Sequence, residues 1–165
     1  MENIFIAHIT FEAKTALKIG SKNADFLQDS PIQKDWNGLP MILGTSLTGV
    51  LRKEFEDEIA KNIFGTGDLG SKTIISNALI LNEKKEVTES LLLDSKKSDF
   101  LQKFIVLPIR EHNAMNDKGV TKDTGKFDEE VIYKGTRFKF SIEMINETQD
   151  DKNNFFHLLV LLSQN

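Results

Sequence analysis

The sequence predicts an α+β domain of the ferredoxin-like type enlarged by insertions, and three observations carry that prediction. Phe5, Ala7, Ile9 and Phe11 stand at every second position of residues 4–11, residues 137–144 alternate in polarity, and helical apolar spacing follows each of these segments. A strand, a helix, further strands and a second helix form the opening order of a β-α-β-β-α-β unit.

Phe5, Ala7, Ile9 and Phe11 alternate with Ile4, Ile6, His8 and Thr10, so a first strand turns the Phe5 series to the core and the His8 series outward. From about 13 to 44 no period is present, and a long loop is expected. Gly44-Thr45-Ser46 then precedes Leu47, Val50, Leu51, Phe55 and Ile59, which form one apolar stripe. A helix is expected over about 46–62, starting near Ser46 with a hydroxyl cap. A strand follows near 73–81. Residues 82–135 mix polar runs such as Asn82-Glu83-Lys84-Lys85-Glu86 with the short apolar piece Phe104–Leu107, and no compact core pattern emerges there. Asn116-Asp117-Lys118-Gly119 and Asp123-Thr124-Gly125 carry turn chemistry.

In the later strand Phe138, Phe140, Ile142 and Met144 point one way and Arg137, Lys139, Ser141 and Glu143 the other, so basic groups line one sheet face. After an N-cap region at Asp150-Asp151, Phe155–Leu162 reads as a buried helix. The chain thus reads as one domain over 1–165, with insertions at about 13–44 and 82–135. The strand expected to close a ferredoxin-like sheet after that helix is missing. Either the chain is a truncated product, or a neighbouring chain supplies the strand along the open edge.

At 165 residues and 39% hydrophobic, the chain can bury a single core. It carries neither a signal peptide nor an apolar run of about 20 residues, so a cytoplasmic protein without membrane contact is expected. The absence of cysteine excludes disulfides and thiolate metal sites, and three histidines argue against zinc. Net charge is −4, yet residues 13–53 hold six Lys or Arg against three Asp, a local +3. A basic RNA track and ordinary solvated lysines both fit that distribution.

The helix start offers chemistry. Its first turn presents backbone N–H groups at the positive end of the helix dipole, Gly49 admits another backbone or a phosphate, and Arg52 follows within two turns. Taken alone, the Gly-Thr-Ser tripeptide is better accounted for as an ordinary capped helix start, and it is the surroundings that point to chemistry.

The run Asp29-Ser30-Pro31, Lys34-Asp35, Gly38-Leu39-Pro40, Gly44-Thr45-Ser46-Leu47-Thr48-Gly49-Val50-Leu51-Arg52 and Ile63-Phe64-Gly65 resembles the RAMP superfamily of CRISPR proteins. More narrowly, it is similar to the backbone subunits of type III effector complexes. There a D-[SN]-P turn precedes a P-x-[IL]-P-G-[ST]-S-L-[KT]-G-x-[LM]-R segment and a later [LI]-F-G. Ser71–Leu81 resembles the strand after that motif, and Gly135-Thr136-Arg137-Phe138-Lys139-Phe140 resembles a G-T-x-F-x-F strand. Leu43, Thr48, Ala16 and Lys18 depart from the usual Pro, Lys, Pro and His.

The resemblance implies an RRM-type fold with a thumb-like hairpin in the insertion at 104–135, and a subunit that polymerises along a CRISPR guide RNA. Implied partners are the guide RNA, a target RNA, other RAMP subunits and the large effector subunit. Lys18, Lys22, Ser46, Gly49 and Arg52 would hold the guide backbone, with Arg110 and His112 on the hairpin and Met115 and Val120 as apolar wedges. A hairpin that touches nothing fits its residue chemistry equally well. Asp29 matches the position of a catalytic Asp that cuts the paired target RNA at displaced nucleotides with Mg2+ (or Mn2+). On residue type alone, Asp29-Ser30-Pro31 is also a plain turn. Two relatives in function stay open: a noncatalytic structural or capping subunit, and a metal-independent repeat-processing ribonuclease, for which His8 and His112 are the available histidines.

Overall fold

The structure, a computed structural model, describes residues 3–19, 32–93, 97–115 and 121–164, the side chains of 111–115 and 121–128 excepted. Among them the order is β1 (Asn3–Glu12), β2 (Met41–Ile42), α1 (Gly44–Arg52), α2 (Asp57–Phe64), β3 (Thr73–Ile75), β4 (Ala78–Ile80), α3 (Asp99–Gln102), β5 (Ile109–Met115), β6 (Thr121–Glu130), β7 (Arg137–Asn146) and α4 (Gln149–Ser163). It is a mixed α/β architecture. One sheet runs β1-β7-β4-β2, with β3 also paired to β7, and β5 pairs with β6 in a separate two-stranded sheet. The chain divides into two compact units. The first takes Met1–Thr10, Leu43–Ala78 and Lys139–Asn165, and the second takes Phe11–Ile42 and Leu79–Phe138.

In the first unit the two alternating strands behave as their sequences predict. Along β1 the odd positions are the more buried, and along β7 Phe140, Ile142 and Met144 are buried while Lys139 and Glu143 are exposed. β3 lies antiparallel to β7 with Thr73, Ile74 and Ile75 opposite Met144, Glu143 and Ile142. The strand expected over 73–81 is interrupted at Ser76-Asn77. Ser76 keeps contact with β7 by a different route: its N–H donates to the Ser141 carbonyl at 3.0 Å, and its hydroxyl accepts the Ser141 N–H at 2.9 Å.

The helix expected over 46–62 is two helices. After Arg52 the N–H groups of Glu54 and Phe55 reach back three residues, to Leu51 and Arg52, and this tighter turn ends α1. It also turns Phe55 inward, where its ring lies 5.8 Å from Phe64 and 5.0 Å from His157. α4 opens with a capping box: the Thr148 hydroxyl accepts the Asp151 N–H, and the Asp151 carboxylate accepts the Thr148 N–H. Only a stripe of α4 is buried, with Phe155 stacked on Phe5 at 5.2 Å and Leu158 fully enclosed. Phe156 and Val160 are about half exposed, so the helix expected to be buried over Phe155–Leu162 is buried along one stripe only.

The second unit has a core that the sequence does not announce. Leu39, Leu101, Phe104, Leu107 and Ile132 are buried. Buried Glu130 accepts the Ile32 N–H at 3.0 Å and faces Lys34 Nζ at 3.5 Å. Asn37, likewise buried, donates to the Ser90 carbonyl at 3.0 Å and accepts the Leu92 N–H at 2.8 Å. These partners lie 53 to 98 residues apart in sequence, so local patterning carries no trace of them. The β5–β6 hairpin pairs Ile109 with Glu130 through to Asn113 with Lys126, then resumes at Met115 and Thr121. Residues 122–125 therefore face Ala114 alone. The Asp123-Thr124-Gly125 turn chemistry is absorbed as an irregularity within β6 rather than a turn.

Candidate functional site

Helix α1 begins at Gly44, two residues earlier than its hydroxyls suggest. Its N-cap is Leu43, which makes no side-chain cap, and neither Thr45 nor Ser46 fills that role. Asn77 does the capping from outside the helix, its Oδ1 accepting the Gly44 N–H at 2.9 Å. The Ser46 N–H closes onto the Leu43 carbonyl at 3.0 Å, and the Thr48 hydroxyl donates to the Gly44 carbonyl at 2.8 Å. The Thr45 N–H makes no hydrogen bond to a described residue. So the anion-binding capacity of this helix start is smaller than its sequence implies, concentrated on Thr45 and on the exposed hydroxyls of Thr45 and Ser46.

Three glycines and an arginine fix the segment. A Cβ on Gly44 would lie 2.0 Å from the Ile75 carbonyl oxygen, so the first turn of α1 sits directly on β3. A Cβ on Gly49 would meet nothing within 4 Å, and with Ser46, Val50 and Lys53 this glycine forms the solvent-facing stripe of α1. Arg52 is half-buried, and its Nη1 donates to the Gly65 carbonyl at 2.8 Å. Gly65 ends α2 at φ +74°, where an added Cβ would lie 2.5 Å from the Leu69 carbonyl oxygen. The Gly44–Arg52 and Ile63–Gly65 sequence motifs are thus joined by one charge-assisted hydrogen bond.

Of the RNA-binding candidates, Ser46, Gly49 and Arg52 share α1 in the first unit. Lys18 and Arg110 belong to the second. Lys18 is ion-paired with Glu129, and Arg110 is exposed on β5 with Glu129 opposite it in register. His112 stands opposite Phe127 in the hairpin. Lys22, Asp29 and Val120 lie outside the described residues. Among the described residues no three His, Cys, Asp or Glu side chains group as ligands for a metal ion. No described helix is long and apolar enough to cross a membrane.

Asn77 caps α1 from outside the motif with no local signal to mark it, while Asp151, expected with Asp150 as an N-cap region, is the third residue of the Thr148 capping box. Asp151 is fully buried, where burial works to raise its pKa. The Lys72 ammonium at 3.1 Å, the N–H groups of Glu147 and Thr148 and the Thr148 hydroxyl outweigh that and hold the carboxyl below its ordinary value. Lys72 is raised in turn, chiefly by its hydrogen bond to Glu147.

A family model described as the RAMP superfamily matches residues 10–165. Among solved structures, the chain is similar to a subunit of a type III-B Cmr-beta complex in its apo state, determined by cryo-EM, at 13% identity and TM-score 0.68, over 94% of this chain and 89% of that one. In the same kind of complex bound to cognate target RNA the values are 14%, 0.67, 92% and 87%. A chain of a type IV-B CRISPR complex matches at 16% identity and TM-score 0.59, over 95% of this chain and 80% of that one. No curated protein matches the chain.

Proposed function

The chain belongs to the RAMP superfamily, and from that membership we propose that it is a backbone subunit of a type III CRISPR effector complex. In this reading it binds guide RNA along the phosphate backbone and takes part in cutting the paired target RNA. The observation that carries it is the exposed Ser46-Gly49-Val50-Lys53 stripe of α1, anchored from beneath by Gly44 and Arg52. A ribose-phosphate chain laid there meets hydroxyls, an uncovered helix backbone and one ammonium, groups that hold phosphates and leave bases free to pair. Sequence is then read by the guide and not by the protein.

We take the chain as one ferredoxin-like, RRM-type domain with two insertions, supported by the pairing of β7 between β1 and β3. The β5–β6 hairpin is the thumb that displaces target nucleotides, with Arg110 and His112 on its first strand. Its partners are the guide RNA, the target RNA, other RAMP subunits and the large effector subunit.

Asp29 is the proposed cleavage residue. Because the described residues offer no ligand cluster, a Mg2+ (or Mn2+) ion would be held by the Asp29 carboxylate together with oxygens of the RNA, the usual manner for an ion that keeps few protein ligands. When bound, such an ion neutralises charge developing on the phosphate. The Asp29 carboxylate itself orients the attacking ribose hydroxyl.

The test is a reconstituted effector complex carrying Asp29→Ala. Loss of target cutting with guide and target binding retained supports the assignment. Cutting that survives the substitution removes Asp29 from the reaction, and cutting that also survives EDTA points to a metal-independent nuclease. A wild-type complex that binds both RNAs and cuts neither identifies the noncatalytic structural subunit.

A further inference from the structure

We propose that a cleft in the second unit, lined by none of the candidate site residues above, is a stacking site for one unpaired nucleotide of single-stranded RNA. For the class of its occupant the proposal rests on the RNA-binding reading. The cleft holds about 230 Å³ and is lined by Phe100, Lys103, Phe104, Tyr133, Lys134 and Gly135.

The aromatic part is held in place. Buried Phe104 packs edge-on against Phe100 at 5.3 Å and against Tyr133 at 5.8 Å. The two outer rings remain 37% and 42% exposed. Both rings border one cleft and present an aromatic surface to it. The turn behind them is fixed as well. The Tyr133 carbonyl accepts the Thr136 N–H at 3.2 Å and its hydroxyl at 2.7 Å, and the Gly135 N–H donates to the Ala13 carbonyl at 2.8 Å. Gly135, which also lines the cleft, sits at φ +85° with no atom within 4 Å of a notional Cβ.

Charge supplies the second half of the recognition. Lys103 and Lys134 line the cleft with the rings, are exposed, and make no ion pair among the described residues, although the Lys134 charge reaches the Glu12 carboxylate. An adjoining cleft of about 330 Å³ shares Phe100 and Gly135 and adds Lys85 and Arg137. Lys85 holds φ +62°, a left-handed conformation that side chains other than Gly, Asn and Asp rarely adopt. Arg137 is engaged by Glu12 at 2.8 Å, and Glu83, the acid lining the second cleft, accepts from the Ser98 hydroxyl. In a chain of net charge −4, lysines lining the same cleft as an exposed aromatic pair fit a base laid on the rings and phosphates on the lysines. Such a site tolerates any base, since every base has a π-face.

The experiment uses the full chain and a short single-stranded RNA carrying one 2-aminopurine, read by anisotropy and by base fluorescence. Wild type should bind and quench the probe. Phe100→Leu and Tyr133→Leu keep the packing volume and remove the rings; each should weaken binding about 5- to 10-fold and relieve the quenching. Lys103→Ala combined with Lys134→Ala should lower the slope of log affinity against log salt by about 1.4. Wild-type RNA binding that both Leu variants match, with quenching intact, overturns the cleft and leaves the RNA-binding reading standing. A wild type that binds no RNA overturns both. If polyglutamate binds as tightly as RNA and depends on the lysines but not the rings, the cleft is an acidic-peptide site and the proposal fails.

Discussion

Gly44 and Gly49 lie five residues apart in one helix, and alanine should have opposite effects at the two positions. At Gly44 the new Cβ would sit 2.0 Å from the Ile75 carbonyl oxygen and 3.0 Å from the carbonyl carbons of Ile75 and Ser76. These are backbone atoms of β3 and its continuation, which cannot swing aside, so α1 must lift away. Lifting stretches the 2.9 Å hydrogen bond from the Gly44 N–H to Asn77. Overpacking against a fixed partner costs about 1–3 kcal/mol and the weakened hydrogen bond about 1 more. Gly44→Ala should therefore lose about 2–4 kcal/mol, a fall in Tm of about 5–15 °C for a chain of this length. Gly49→Ala meets nothing within 4 Å and gains about 0.5–1 kcal/mol by reducing backbone freedom in the unfolded chain. Thermal and urea unfolding followed by circular dichroism read both. A Gly44→Ala variant as stable as wild type would refute the close approach of α1 to β3. If RNA approaches the α1 backbone at Gly49, the stabilised Gly49→Ala protein should nevertheless bind guide RNA more weakly.

Other expectations follow from the same contacts. Arg52→Ala removes a charge-assisted hydrogen bond to the Gly65 carbonyl and should cost about 1.5–3 kcal/mol in urea unfolding. It should also weaken RNA binding for every sequence and flatten its salt dependence; affinity lost for one sequence alone would mean base readout. Asp151 has its pKa depressed in the folded state. Its contribution is therefore present above the unfolded carboxylate value near 4 and is lost as pH falls through the lower folded value. Stability measured from pH 6 down to pH 2 should fall in that window, and Asp151→Asn should remove this part of the fall while costing about 2 kcal/mol at neutral pH, since it leaves part-buried Lys72 without its buried counter-ion. A pH profile unchanged by Asp151→Asn would mean the Lys72 cluster contributes little.

The parts of this fold that were legible in the sequence are those whose partners impose a period. β1 and β7 each show one face to a core, and strict alternation follows from that. The capping box of α4 is local, with Thr148 and Asp151 three residues apart, yet the cap expected at Asp150-Asp151 lies at Thr148. The start of α1 was half legible. Its glycine is visible, but the cap comes from Asn77, 33 residues away, and a hydroxyl in the right place carries no sign that another residue has taken its role. The break after Arg52 escaped for a related reason: the apolar stripe continues through Phe55 and Ile59, and only the inward packing of Phe55 on Phe64 and His157 interrupts the helix. In the second unit, Glu130, Lys34 and Asn37 are polar residues in the core. A pattern that equates polar with exposed reads their surroundings as loop. The segments of that unit, 11–42 and 79–138, nonetheless span nearly the same residues as the stretches of broken periodicity.

In the proposed subunit α1 presents its Ser46–Lys53 stripe to an RNA backbone. Ultraviolet crosslinking of the chain to guide RNA within a reconstituted complex, followed by mass spectrometry of the crosslinked peptides, tests it most directly. Crosslinks within residues 45–53 for guides of unrelated sequence are the predicted result. Crosslinks that map elsewhere while this segment stays unmodified would contradict it.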